Sequence, residues 1–350
     1  MNPAYDTILT ADTETRAGLF TATAQRIGTT PQNVEKDFWV CWTLDALFNG
    51  LPEGPRLLFK GGTSLSKGFG LIRRFSEDID VTVFRDDLGE AHSVEDLQKL
   101  SGKKREAALN AIRDACEAFI NGPMLSNLTQ IAADASARNG IAAGQLVILQ
   151  DKTDKQTLLV QYPTATEPDA YIPNVVKIES GAKSALDPNS VRSIRPYLEQ
   201  DAPGLDLEVQ GVTIVDAERT FWDKVVILHG LRRWYELKDV LKGGGNRISR
   251  HYYDLHELMQ APLGEAAIAD AALGADCVAH ARMFFNRPAF DLASAAPPTF
   301  VLTPEGDMYD ALRLDYAAMT GMIFGTAPGF ETVIESVAEL ERRVNQIEPG

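Results

Sequence analysis

The chain has 350 residues, of which 45% are hydrophobic and 24% charged, so it is long enough to bury a core without disulfide or metal staples. Its three cysteines form no CxxC pair and no apolar run approaches the roughly 18 residues of a membrane span, which argues against a disulfide framework, a structural zinc site and a membrane protein. The formal net charge of −15 argues against a broad basic surface for long nucleic acid, so a polyanionic partner must meet a local basic patch.

Helices and strands are both predicted in the first half of the chain. The first clear helix, at 13–27, stops at Gly28, and the second begins with Thr30 as N-cap and Pro31 in the first turn. The elements that follow are a strand at 57–59, a paired-glycine turn, a helix at 64–69, a strand at 79–84, a loop at 85–102, and helices at 103–120 and 126–139. This order predicts the beginning of an α/β half.

The second half of the chain changes from strands to helices. Strands are predicted at 145–149, 157–162 and 174–180, as an antiparallel extension of the first sheet, and another at 209–214 after an irregular segment at 181–205. Helices are then predicted at 217–241, 249–258, 264–281, 308–323 and 330–347. The expected fold class is α+β: a mixed sheet flanked by helices in a domain at 1–215, and a mostly helical domain at 216–350 that completes the active-site cleft.

The most informative stretch, residues 60–81, reads KGGTSLSKGFGLIRRFSEDIDV. Asp78 and Asp80 stand two residues apart, so in a strand their side chains point to the same face, about 6 to 7 Å apart along the backbone. Two converging carboxylates need a cation or strong donors, and Mg²⁺ (or Mn²⁺) prefers carboxylate and phosphate oxygens. The Gly61-Gly62 turn lets backbone amides approach a triphosphate without a Cβ in the way. Together these features predict nucleotidyl transfer.

Six segments of the chain carry a family resemblance. They are VEKDFWV at 34–40, KGGTSLSKG at 60–68, RFSEDIDV at 74–81, VVKIES at 175–180, AERTFWDKVVILH at 217–229 and RISRHYYDLHEL at 247–258. In this order they resemble the AbiEii/AbiGii nucleotidyltransferase toxins, a branch of the DNA polymerase beta-like nucleotidyltransferase superfamily. The segments span about two thirds of the chain. The resemblance is specific for the fold and less so for the substrate.

The resemblance implies a role for each of several positions. The terminal phosphates of an NTP would be held by backbone amides and hydroxyls of four residues, Gly61, Gly62, Thr63 and Ser64. Asp78 and Asp80 would ligate the divalent ions. Glu179 is the candidate for a third metal carboxylate that helps to activate the attacking hydroxyl, because it shares a predicted strand face with Lys177.

Two residues of the helical half complete the set that the resemblance implies. Lys224 would pair with a phosphate as a point charge and is therefore both a catalytic and a nucleotide-binding candidate. Asp254 would orient Lys224 or the base. Arg74 and Ser76 are expected to steady the loop before Asp78. The implied activity is in-line attack of a hydroxyl on the α-phosphate of an NTP.

The resemblance also implies biological partners. It indicates transfer to tRNA or other RNA, and a toxin that a cognate antitoxin neutralises. The few, widely separated cysteines and the lack of a long apolar run predict a cytoplasmic protein with no membrane partner. Two alternatives stay open: a catalytically silent nucleotide-binding protein that sequesters a partner, and transfer to a protein or small-molecule hydroxyl, which the negative charge favours. Residues 260–350 carry no assignable motif and are interpreted as a helical scaffold.

Overall fold

A computed structural model of the chain describes residues 1–76, 78–167, 173–245 and 247–347, so Glu77 of the segment at 74–81 lies outside the described part. The helices are α1 (Ala4–Thr10), α2 (Thr13–Ile27), α3 (Pro31–Asp45), α4 (Gly61–Lys67), α5 (Val94–Lys99), α6 (Gly102–Phe119), α7 (Leu125–Asn139), α8 (Ala217–Lys238), α9 (Arg250–Gln260), α10 (Pro262–Ala269), α11 (Ala271–Phe284), α12 (Asp307–Met319) and α13 (Phe330–Val344). The strands are β1 (Leu57–Lys60), β2 (Ile79–Val83), β3 (Val147–Gln150), β4 (Thr157–Gln161), β5 (Val175–Gly181), β6 (Asn189–Ile194) and β7 (Val209–Val215).

A mixed sheet with the strand order β3-β4-β5-β2-β1-β7-β6 forms the centre of the fold. The predicted antiparallel extension is confirmed, because β3, β4 and β5 pair antiparallel, and β5 joins β2 in parallel. Ile79 and Val81 of β2, and Val176 and Ile178 of β5, are fully buried. Because successive side chains of a strand alternate between faces, Asp80 and Glu179 lie on the opposite face.

Two segments that were expected to be irregular contain regular structure. The predicted loop at 85–102 includes α5, where Ser93 accepts a hydrogen bond from the amide of Asp96 at 3.1 Å and Leu97 is buried. The irregular segment at 181–205 includes β6, which pairs with β7. The helix α5 buries a single leucine and the strand β6 is largely exposed, so neither segment shows the apolar periodicity that predicts a helix or a strand.

The helical part also departs from prediction at one point. The single helix expected at 264–281 is two helices, α10 and α11, divided at Asp270. The Asp270 side chain accepts a hydrogen bond from the amide of Leu273 at 2.9 Å and caps α11. The helix α1, which precedes the first predicted helix, was missed. Among the described residues, none of the helices combines the length and the hydropathy that crossing a lipid bilayer requires.

Contacts divide the chain into two compact units. The first contains Met1–Gly68, Phe75–His92 and Ser101–Val215, and the second contains Phe69–Arg74, Ser93–Leu100 and Asp216–Gly350. The first unit contains the sheet, with α3 packed against β5 and β7. In the second unit α8 packs against α9, α10 and α11. There the indole of Trp222 donates to the carbonyl of Ala267 at 2.8 Å and lies so close to Gly274 that a Cβ would be 2.8 Å from the ring.

Candidate active site

The bend between β1 and α4 is shaped around the carboxylate of Asp80. Gly61 has a φ of +82°, a left-handed conformation that favours glycine. A Cβ at this position would lie only 2.1 Å from Oδ2 of Asp80. The carboxylate therefore occupies the space that a side chain at position 61 would need. The predicted closeness of the glycine pair and the acidic strand is present in the structure.

Strand pairing places charged side chains in a row across the sheet. Asp80 is the Cα partner of Lys60 on β1 and of Glu179 on β5. Directly paired residues in neighbouring strands project from the same face. Lys60 Nζ lies 3.7 Å from Asp80 Oδ1, and Lys177 Nζ lies 2.9 Å from Glu179 Oε1. Two adjacent carboxylates, each paired with an ammonium group, thus lie on one face of the first unit.

Asp78 belongs to the same charged region. It comes directly before β2, and its side chain is half-buried. The hydrogen bond to Glu179 and the charges of Glu179, Asp78 and Asp151 raise the pKa of Lys177, whereas burial opposes the shift. Lys177 is therefore an ammonium group at neutral pH. We call Asp78, Asp80 and Glu179 the site carboxylates.

The hydroxyls of Thr63 and Ser64 make hydrogen bonds within the chain. Thr63 Oγ1 lies 2.5 Å from the carbonyl of Asp78 and 2.8 Å from Ser76 Oγ. Ser64 Oγ donates to the carbonyl of Gly61 at 2.8 Å. Both side chains are buried. Thr63 therefore ties the bend to the residues before β2, with Ser76 as one of its partners, whereas Ser64 closes the first turn of α4.

A buried ion pair between α3 and α4, which sequence reasoning missed, holds the other end of α4. Lys67 Nζ lies 2.7 Å from Asp37 Oδ1, and both side chains are less than 5% exposed. Asp37 also accepts a hydrogen bond from the amide of Tyr197 at 2.7 Å, and Lys67 Nζ lies 3.7 Å from the centroid of the Tyr197 ring. Burial lowers the pKa of Lys67, but the charges of its neighbours, Asp37 first, raise it further. The opposite charges of the segments at 34–40 and 60–68 were the available signal.

A second carboxylate of α3, Glu35, fixes the chain that follows β4. Its oxygens accept hydrogen bonds from the amide of Ala165 at 2.6 Å and from the hydroxyls of Thr164 and Thr166 at 2.7 and 2.5 Å. Glu35 is 1% exposed. The polar residues of the segment at 34–40 therefore position two other segments of the first unit.

In the second unit, Asp254 on α9 lies between two cations. Arg74 donates to both carboxylate oxygens, Nε at 2.7 Å and Nη2 at 2.8 Å, and Lys224 Nζ lies 2.7 Å from Oδ2. All three side chains are buried. Burial raises the pKa of Asp254, but the charges of Arg74 and Lys224 outweigh it and hold the pKa well below its usual range. Burial, together with the Arg74 charge, lowers the pKa of Lys224 in spite of Asp254.

This arrangement separates the predicted site residues into two groups. Arg74, expected to steady the loop before Asp78, pairs with Asp254. The expected orientation of Lys224 by Asp254 agrees with their ion pair, and the roles of both residues in catalysis stay predictions. Gly61, Asp78, Asp80 and Glu179 belong to the first unit, and Lys224 and Asp254 to the second.

Histidines of the second unit predict acid sensitivity. Burial lowers the pKa values of His229, His251 and His256 below the ordinary value of about 6.5. Below pH 6.5 the unfolded chain therefore binds more protons than the folded chain, and stability falls by at most about 1.4 kcal/mol per pH unit for each histidine until its folded pKa is reached. We expect the melting temperature to fall from pH 7 to pH 5, with a smaller slope in His251→Gln. An equal slope in that variant would contradict this assignment.

The site carboxylates supply the oxygen ligands that a hard divalent cation prefers. Mg²⁺ binds carboxylate oxygens, and Asp80 and Glu179 are adjacent and partly exposed. Within the described ranges, no three His, Cys, Asp or Glu side chains converge closely enough to hold a metal ion. Lysines neutralise two of the carboxylates in this arrangement. The donors suit the ion, and the side chains would have to turn toward it.

Comparisons with known proteins identify the fold and the family. The structure is similar to that of the nucleotidyltransferase toxin MenT4 from Mycobacterium tuberculosis H37Rv, with a TM-score of 0.53 and 15% identity over 95% of this chain and 90% of that chain. At this identity the likeness shows the fold, an α+β arrangement with a mixed sheet and flanking helices. No curated protein sequence matches the chain. The family described as "Nucleotidyl transferase AbiEii toxin, Type IV TA system" matches residues 42–336. The chain belongs to this family of nucleotidyltransferase toxins.

Proposed function

We propose that this enzyme transfers an NMP from an NTP to an acceptor hydroxyl, with Mg²⁺ or Mn²⁺ as cofactor and tRNA or other RNA as the favoured acceptor. One observation carries the proposal: Asp80 pairs with Glu179 across the sheet while its carboxylate lies against the left-handed bend at Gly61. Carboxylates beside a glycine bend suit a metal-bound triphosphate, because the ion takes carboxylate oxygens and the backbone amides take phosphate oxygens.

The bend supplies backbone groups for the phosphates. Gly61 and Gly62 leave their amides open to approach, and the amides of Thr63 and Ser64 belong to the same first turn of α4. The two hydroxyls act indirectly: Thr63 holds this turn against Asp78, and Ser64 donates to Gly61 within the turn. Binding would therefore depend on the position of the bend more than on these two hydroxyls.

Asp78, Asp80 and Glu179 would hold the divalent cation, which when bound neutralises charge on the phosphates. The acceptor oxygen forms a bond to the α-phosphorus, and the bond to the bridging oxygen of pyrophosphate breaks. Glu179 is the proposed acceptor of the hydroxyl proton, because it is the partly exposed carboxylate opposite Asp80. We also propose that activity requires Lys224, held by Asp254 in the second unit.

Family membership implies a cognate antitoxin, and we propose one as the protein partner. The net charge of −15 favours a partner with a basic surface. The same charge is the observation that favours a protein or small-molecule acceptor over RNA. We keep this as the second candidate function.

A labelling experiment distinguishes the acceptors. The four NTPs, each labelled at the α-phosphate, are incubated with the enzyme, Mg²⁺ and either total tRNA, lysate protein or an aminoglycoside. We expect label in tRNA, and none with Asp80→Ala or with EDTA. Label in protein or drug alone would select the second candidate. Label in none of them, with no Mg²⁺-dependent NTP binding by calorimetry, would contradict transferase activity and favour a silent binding protein.

Replacing Gly61 tests the bend. In Gly61→Ala the left-handed φ costs about 1–2 kcal/mol, and the new Cβ collides with the Asp80 carboxylate and forces it to move. We expect a lower melting temperature and loss of transfer. Gly89→Ala is the matched control, because Gly89 has a φ of +79° but a Cβ added there would meet no atom within 4 Å. It should lose similar stability and keep its activity; equal activity in both variants would contradict the role of the bend.

A further inference from the structure

Two ammonium groups face the proposed metal carboxylates and have no role in the reaction described so far. Lys60 is the Cα partner of Asp80, with Nζ 3.7 Å from Oδ1. Lys177 is hydrogen-bonded to Glu179 at 2.9 Å. Both ion pairs lie on the sheet face that bears the site carboxylates. Each lysine therefore holds an oxygen donor that a divalent cation would need.

Charge balance makes these contacts relevant to metal binding. The three site carboxylates and the two lysines together carry one net negative charge. A divalent cation that arrives alone therefore meets a weak field and must displace ammonium groups. A triphosphate changes the balance, because it adds negative charge and offers the lysines phosphate oxygens in exchange. A divalent cation would therefore bind weakly alone and more tightly together with a nucleotide.

Lys60 has the position that this exchange requires. It directly precedes Gly61, at the start of the bend proposed to hold the phosphates, and is the N-cap residue of α4. Its side chain is 28% exposed, so it can turn from Asp80 toward a phosphate without unpacking the core. Lys177 is 41% exposed and can turn in the same way.

We infer that Lys60 and Lys177 are the counter-ions of Asp80 and Glu179 in the nucleotide-free enzyme. Because an NTP draws the two lysines away, divalent-ion binding depends on the NTP. This inference rests on the proposed function. It assigns the two lysines to the coupling between metal and nucleotide binding.

Mn²⁺ binding measured by electron paramagnetic resonance tests the inference without turnover. The wild-type enzyme should bind Mn²⁺ weakly alone and more tightly with a non-hydrolysable NTP analogue. Lys60→Met and Lys177→Met should each bind Mn²⁺ alone about tenfold more tightly, because a nearby positive charge is removed. In both variants the analogue should add less to Mn²⁺ affinity than it adds in the wild type.

Three further variants serve as controls. Lys60→Arg keeps the charge and should resemble the wild type, and Lys103→Met removes an exposed lysine of α6 and should change nothing. If Asp80→Asn loses Mn²⁺ but both lysine variants bind it as the wild type does, the inference is overturned and the proposed function stands. If the wild type binds no Mn²⁺ with any analogue, or Asp80→Asn binds it normally, both fail.

Discussion

Asp80→Ala should fold normally and lose about three orders of magnitude or more in transfer rate, the scale expected for a group that stabilises transition-state charge. Asp80 lies between Lys60 and Glu179 and against the bend at Gly61, so its carboxylate is central to the proposed site. Its ion pair with Lys60 is long and partly exposed, which limits the stability loss to about 1 kcal/mol. Initial rates with labelled NTP, together with thermal unfolding, measure both quantities.

The matched control for Asp80→Ala is Asp86→Ala. Asp86 follows the same strand by only a few residues and is exposed. Its replacement removes one negative charge from the first unit without changing the site carboxylates. We expect wild-type rates from Asp86→Ala. Transfer retained by Asp80→Ala, or lost equally in both variants, would remove the basis for a metal role of Asp80.

Asp254→Ala should be the most destabilising single change considered, at about 3–5 kcal/mol, because it leaves two buried cations without their counter-ion. Arg74 and Lys224 are both hydrogen-bonded to this carboxylate, which is fully buried. Chemical denaturation followed by tryptophan fluorescence, to which the buried Trp222 of the same unit contributes, measures the loss. A change of less than about 1 kcal/mol would mean that solvent or other groups compensate the two cations.

Lys224→Met separates stability from catalysis at this cluster. It removes one buried cation and leaves the two-point contact between Arg74 and Asp254 intact. Because Arg74 still neutralises Asp254, no buried charge is left without a counter-ion, and the loss of stability should be smaller than in Asp254→Ala. We therefore expect a folded protein with little transfer activity. A folded and fully active Lys224→Met would restrict Lys224 to a structural role.

Local patterns were sufficient for the elements around the bend. The glycine pair, the alternation of Ile79, Asp80 and Val81, and the Thr30-Pro31 helix start are all visible within a few residues, and the structure has the corresponding turn, strand and helix. The pairing of Asp80 with Glu179 joins residues far apart in sequence. Glu179 was identified because of the family resemblance, since no local pattern specifies which strand will lie beside β2.

The missed contacts share a physical cause. Asp37 and Lys67, and likewise Arg74 and Asp254, are charged residues that tertiary pairing buries, whereas sequence patterns treat charged residues as exposed. For this reason Arg74 was expected at the loop before Asp78. The strand β6 was missed because its register depends on backbone pairing with β7 and not on an apolar pattern of its own.

The most direct test of the site is a crystal of the enzyme grown with Mn²⁺ and a non-hydrolysable NTP analogue, measured with anomalous diffraction. We expect an anomalous peak within bonding distance of carboxylate oxygens of Asp80 and at least one of Asp78 and Glu179, with the phosphates at the amides of Gly61 and Gly62. A bound nucleotide with its Mn²⁺ away from these carboxylates would contradict the proposed metal site.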